Sequence, residues 1–157
     1  MTKRRWMLGM VFGCLGLLLV LGPALAAEKT IKIGVVFIMS GPMGGYGKHG
    51  SQAVQLALDE INGQGGILGL KVEAIFEDDQ MKVDRGVHVV KKFIDQDQVD
   101  FIIGPTSSGV ALALAPLVQE HKKILVLTQS AANSLTDAQF NPYLFSTLSN
   151  AMMHSRA

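Results

Sequence analysis

The sequence predicts an α/β fold, an open parallel sheet with helices on both faces. Three observations carry that expectation. Apolar runs rich in Ile and Val recur along the chain, a stretch of helical periodicity follows each, and Gly or Pro clusters punctuate the alternation. The runs are nearly continuous rather than alternating, as expected of strands covered on both sides.

Taken in order, Ile31 to Met39 (IKIGVVFIM) reads as the first strand. From Gly47 to Asn62 the pattern turns helical, with Ala53, Leu56, Ala57 and Ile61 sharing one face and Gln52, Gln55 and Asp59 turned away. Gly63-Gln64-Gly65-Gly66 ends that helix. Leu70 to Glu77 is a second strand, and Val83, Val87, Val90 and Ile94 mark a second helix. Val99 to Ile103 is a third strand. Val110, Leu114, Leu117 and Val118 mark a third helix, with Pro116 as a candidate break inside it. Ile124 to Leu127 is a fourth strand, and Leu144-Phe145-Ser146 is a candidate fifth. Asn150 to Ala157 (NAMMHSRA) opens a further helix that nothing closes, which reads as a fragment of something longer.

The chain has 157 residues, 48% hydrophobic and 17% charged, a composition that excludes disorder. Part of the apolar excess is a leader. Lys3, Arg4 and Arg5 form a basic start, Val11 to Leu21 is apolar, and Ala24-Leu25-Ala26 is a small-x-small site, the three-part pattern of a signal peptide over residues 1–26. The apolar run is short for a membrane span, and Gly22-Pro23 breaks it. Export into the periplasm is therefore expected. The single cysteine, Cys14, falls inside the leader, so the mature chain has no disulfide. Without Lys3, Arg4 and Arg5, the 13 acidic residues outnumber the remaining basic ones. A mildly acidic domain has no electrostatic footprint for nucleic acid, and Lys91-Lys92 and Lys122-Lys123 read as solvated helix ends.

In an open parallel sheet the C-terminal ends of the strands share one edge, where ligands bind. Four loops reach that edge: Ser40 to Tyr46, Asp78 to Lys82, Thr106 to Gly109 and Thr128 to Asn133. Three are rich in small and hydroxyl residues. Ser107 or Ser108 can cap the following helix, whose N-terminal amides also suit a carboxylate or phosphate. Gly45-Tyr46-Gly47-Lys48-His49-Gly50 matches G-x-G-x-x-G, but it comes six residues after the strand rather than in a tight turn on it, which weighs against a secreted nucleotide-dependent enzyme. Asp78-Asp79 reads as a solvated turn, since no third acid lies near to complete a metal set. His49, His88, His121 and His154 have no ligand-like spacing, and no Ser-His-Asp arrangement can be placed. The residues offer no catalytic group, cofactor motif or metal site, which favours binding over catalysis.

The stretch IKIGVVFIMSGPMGGYGKHGSQAVQLALDEINGQGGILGLKVEAIFEDDQ, followed by IIGPTSSG, resembles the start of type I periplasmic solute-binding proteins, the branched-chain amino acid (Leu/Ile/Val-binding) receptors of ABC transporters. The similarity runs from about Lys29 to Ser149. It implies a two-lobed protein that closes on a small amino-acid-like solute and docks on an inner-membrane ABC permease. Residues 27–149 would form part of the N-terminal ligand-binding lobe, and residues 150–157 would start the crossing to a second lobe. The resemblance further implies that Ser108, with Ser107 beside it, binds a ligand carboxylate. It assigns backbone groups of Ser130, Ala131 and Ala132 to the ligand's carboxylate and ammonium, and a lateral contact to Tyr46. Ala132 departs from the threonine usual there, and Asn133 is the neighbouring side chain that can replace the missing hydroxyl. A ligand-sensing ectodomain on the same fold is the alternative.

Overall fold

β1 (Ile31–Phe37) lies inside a five-stranded sheet, flanked on both sides, which explains why its run is apolar on every residue from Gly34 onward. The remaining strands are β2 (Val72–Asp78), β3 (Phe101–Ile103), β4 (Ile124–Leu127) and β5 (Leu144–Ser146), in spatial order β2-β1-β3-β4-β5 and all parallel. This is a computed structural model, and it describes residues 29 to 155. The leader expected over residues 1–26, with Cys14, lies outside the described residues. The expected open parallel sheet is present, and the fifth strand and the terminal helix form where anticipated.

Among the described residues four helices accompany the sheet: α1 (Gly44–Gly63), α2 (Val83–Asp95), α3 (Ser108–Glu120) and the short α4 (Ala151–Ser155), with a 3-10 turn at Asn133–Leu135. Right-handed crossovers place them. The connection from β1 to β2 runs one way along the sheet and puts α1 on one face; those from β2 to β3 and β3 to β4 run the other way and put α2 and α3 on the opposite face. There Val90, Phe93, Ile102, Val110, Leu114, Val118 and Leu125 form a single buried cluster.

Several sequence expectations change. On α1, Ala53 and Ala57 are exposed and Leu56 is 62% exposed; the inward face is Gly47, Val54 and Leu58. Small residues make this contact. A Cβ on Gly47 would collide with the Ile38 carbonyl, and one on Gly50 would lie 3.0 Å from the Phe37 ring. The helix thus approaches β1 too closely for larger side chains, and the apolar periodicity of Leu56 points elsewhere. On α2, Val83 is exposed and Val87 only partly buried, while Val89 and Phe93 join the core. α3 runs through Pro116 unbroken, because that residue lies on the exposed side. Nor are the lysine pairs simply solvated: Lys92 Nζ lies 2.8 Å from Glu77 Oε1, and Lys123 Nζ donates to the Val99 carbonyl at 2.7 Å.

The end of α1 is tied to β2 by one side chain. Asn62 Nδ2 donates to the Val72 carbonyl at 2.8 Å, and its Oδ1 accepts from the Val72 N–H at 2.9 Å. The amide behaves as a strand partner would, fixing where β2 begins.

Candidate functional site

Adjacent strands β1 and β3 send their following helices to opposite faces, α1 to one and α3 to the other, so a crevice opens beyond their C-terminal ends. A hollow of about 430 Å³ occupies that place. Met43 and Tyr46 line it from the segment after β1, Thr106 from the loop after β3, Thr128 and Gln129 from the loop after β4, and Leu148 from the stretch after β5.

The loops are fastened to one another. Thr106 Oγ1 donates to Gln129 Oε1 at 2.7 Å, and Gln129 Nε2 lies 3.5 Å from the Tyr46 carbonyl. Ser130 Oγ donates to the Pro105 carbonyl at 2.7 Å, a buried bond that joins the loops after β3 and β4. Asp78 Oδ1 accepts from the Met39 N–H at 2.9 Å and from the Gln80 N–H at 2.8 Å, which holds the start of the β1 loop against the turn after β2.

Burial alone would push the Asp78 carboxyl up. Hydrogen bonds from the Ser40 hydroxyl and the Met39 and Gln80 amides, with the charge of Arg85 nearby, outweigh it and hold the group below the usual carboxylate range. Asp79 is the opposite case. It is fully buried, not solvated as its position in a turn suggested, and its Oδ2 has no partner among the described residues. Burial raises its pKa, with the Asp78 charge adding to the effect and the Met81 amide and Arg85 opposing it.

Of the residues singled out from the sequence, Tyr46 lines the hollow, 59% exposed. Ser107 takes the N-cap position of α3 and Ser108 its first turn; both are half-buried, and no side-chain cap bond forms. Ser130 is buried, its hydroxyl hydrogen committed to Pro105. The Ala131 carbonyl accepts from the Ala151 N–H at 2.9 Å, and Asn133 Oδ1 accepts from the Met152 N–H at 2.9 Å, so both serve to seat α4. Ala132 packs against the core cluster. Met43, Thr106, Thr128, Gln129 and Leu148 are the lining residues that the sequence did not single out, and all but Leu148 lie inside loops assigned to this edge. For the polar three the signal is positional: Thr128 and Gln129 are the first two residues after β4, and Thr106 is the third after β3.

The glycines of the G-x-G-x-x-G match fall within α1 rather than in a strand-to-helix turn. Gly47 and Gly50 serve close packing against β1, which leaves no loop to cradle a phosphate pair.

Residues 30–157 match the profile of a family described as periplasmic binding protein. The chain belongs to this family. It is 36% identical over 110 residues to a Leu/Ile/Val-binding protein, BraC3, of Rhizobium johnstonii, covering 70% of this chain and 30% of that protein. Among solved structures, a branched-chain amino acid transporter substrate-binding protein from Streptococcus pneumoniae, in complex with isoleucine, superposes with a TM-score of 0.72 at 32% identity, covering 78% of this chain and 34% of that one. A solute-binding protein of an ABC transporter from Rhodopseudomonas palustris, in complex with 3,4-dihydroxybenzoic acid, gives 0.68 at 27% identity, covering 77% and 32%. The chain thus spans about a third of the length of these relatives. Among its described residues, no helix is long and apolar enough to cross a membrane.

Proposed function

We propose that this chain carries one wall of the solute cleft of an exported substrate-binding component of an ABC transporter. It binds rather than catalyses. The observation that carries the reading is the hollow at the switch point between β1 and β3, ringed by loops from four strands. A carboxylate placed against the N-terminus of α3 meets unpaired backbone amides, with the Ser107 and Ser108 hydroxyls beside them. Tyr46 flanks the hollow and supplies an aromatic side wall. The loop from Ser130 to Asn133 offers backbone groups from the neighbouring strand end.

The solutes named for the structural relatives, isoleucine and 3,4-dihydroxybenzoic acid, have one chemical feature in common, a carboxylate on a compact body. An amino-acid-like or aromatic carboxylate is accordingly the solute class we infer. The basic, apolar and small-residue segments of residues 1–26 support export to the periplasm, residues 27–149 act as the ligand-binding lobe, and residues 150–157 lead toward a second lobe that closes the cleft. The loaded receptor then delivers its solute to an inner-membrane permease.

Titration of the chain with isoleucine and 3,4-dihydroxybenzoate, followed by amide resonances, tests this. Weak binding is expected, because one wall of a cleft encloses a solute poorly. Ser108→Pro, which removes the backbone N–H, is expected to abolish it. If neither solute shifts resonances around Tyr46 and Ser108, the reading fails.

A further inference from the structure

This inference rests on the receptor reading and concerns which solute the hollow prefers. The Gln129 amide lines the hollow between two fixed partners, Thr106 Oγ1 at 2.7 Å and the Tyr46 carbonyl at 3.5 Å. A carbonyl only accepts hydrogen bonds, so the contact with Tyr46 sets the amide with its nitrogen on that side and its oxygen toward the Thr106 hydroxyl. The nitrogen carries two hydrogens. One is directed, over a long distance, at Tyr46; the other has no protein acceptor among the described residues. Gly50 makes room for the group, since a Cβ there would lie 3.1 Å from Nε2. The hollow therefore presents an amide donor with bonding capacity to spare, where a pocket for purely aliphatic side chains would be apolar.

We propose that Gln129 is a specificity-determining residue: its free amide hydrogen selects a solute whose substituent carries a hydrogen-bonding oxygen over one with a methyl group in the same place. A hydroxyl or carbonyl oxygen accepts that hydrogen and spares the site an unpaired donor when the solute displaces water. A methyl group of the same size displaces the water and returns nothing. The carboxylate end is unaffected, because it lies at the α3 N-terminus.

Two shape-matched pairs test the preference on the isotope-labelled chain by resonance titration: threonine against valine, and 4-hydroxybenzoate against 4-methylbenzoate. The hydroxyl member of each pair is expected to bind about tenfold more tightly and to shift the Gln129 side-chain amide resonances. Gln129→Met, similar in length but without the amide, is expected to bring each pair to within about twofold. Thr106→Val, which releases the amide oxygen, is expected to narrow the gap part of the way. Methyl members that bind as tightly as their partners overturn the preference while leaving the receptor reading intact, since binding is then seen. Silence from all four probes overturns both. The wild-type comparison decides the matter even if a variant fails to fold.

Discussion

The two faces of the sheet meet different fates. On one, Ile102, Leu125 and Leu144 stand in register beneath α2 and α3 and are buried. On the other, one residue along the same strands, Phe101, Ile103, Ile124 and Val126 are only partly covered or exposed, and Phe145 is 53% exposed. Composition does not explain the contrast, because the side chains on both faces are equally apolar. Width and topology do. A helix is about 10 Å across and strands lie about 4.8 Å apart, so one helix covers about two strands. Only the β1–β2 crossover runs toward the β2 edge, so among the described residues α1 alone serves that face and lies over β1 and β2. β3, β4 and β5 are composed for cover on both sides, and the described residues provide it on one.

Three changes probe that comparison. Leu114→Ala on α3 opens a cavity in the packed face and is expected to cost about 2–5 kcal/mol in urea unfolding. A loss under about 1 kcal/mol would mean that this face is no better packed than the other. Asp79→Asn addresses the one fully buried carboxylate among the described residues, close to Gly86 of α2. Its folded pKa stands above the ordinary carboxylate value, so the folded protein holds the proton more firmly than the unfolded chain does. The resulting stabilisation is complete below that value and fades as pH rises through the folded pKa. Unfolding measured across this window should show wild-type stability declining relative to Asp79→Asn, and parallel curves would show that the carboxyl is solvated after all. Phe145→Ser on the open face is expected to change stability by no more than about 0.5 kcal/mol. A loss comparable to that of Leu114→Ala would show that something covers Phe145.

Much of this architecture was legible in the residues, for physical reasons. Runs such as Ile31 to Phe37 and Ile124 to Leu127 announce strands because β-branched side chains fit a pleated, doubly covered surface. The orientation of α1 was not legible. Its contact with β1 is made by Gly47 and Gly50, which carry no hydrophobic signal, while Leu56 gives a strong signal and faces solvent. The site shows the same division. The edge and its loops follow from strand polarity, so the segments containing Thr106 and Gln129 could be named. That these two side chains bond each other across 23 positions depends on β3 and β4 being adjacent and in register, and no local pattern encodes that.

The start of α4 is stitched to the loop after β4 at two points, Ala151 N–H to the Ala131 carbonyl and Met152 N–H to Asn133 Oδ1. The tail is therefore no slack tether. A tilt of residues 151–155 would strain the very turn that adjoins Gln129 and Ser130, so helix and turn shift as one piece.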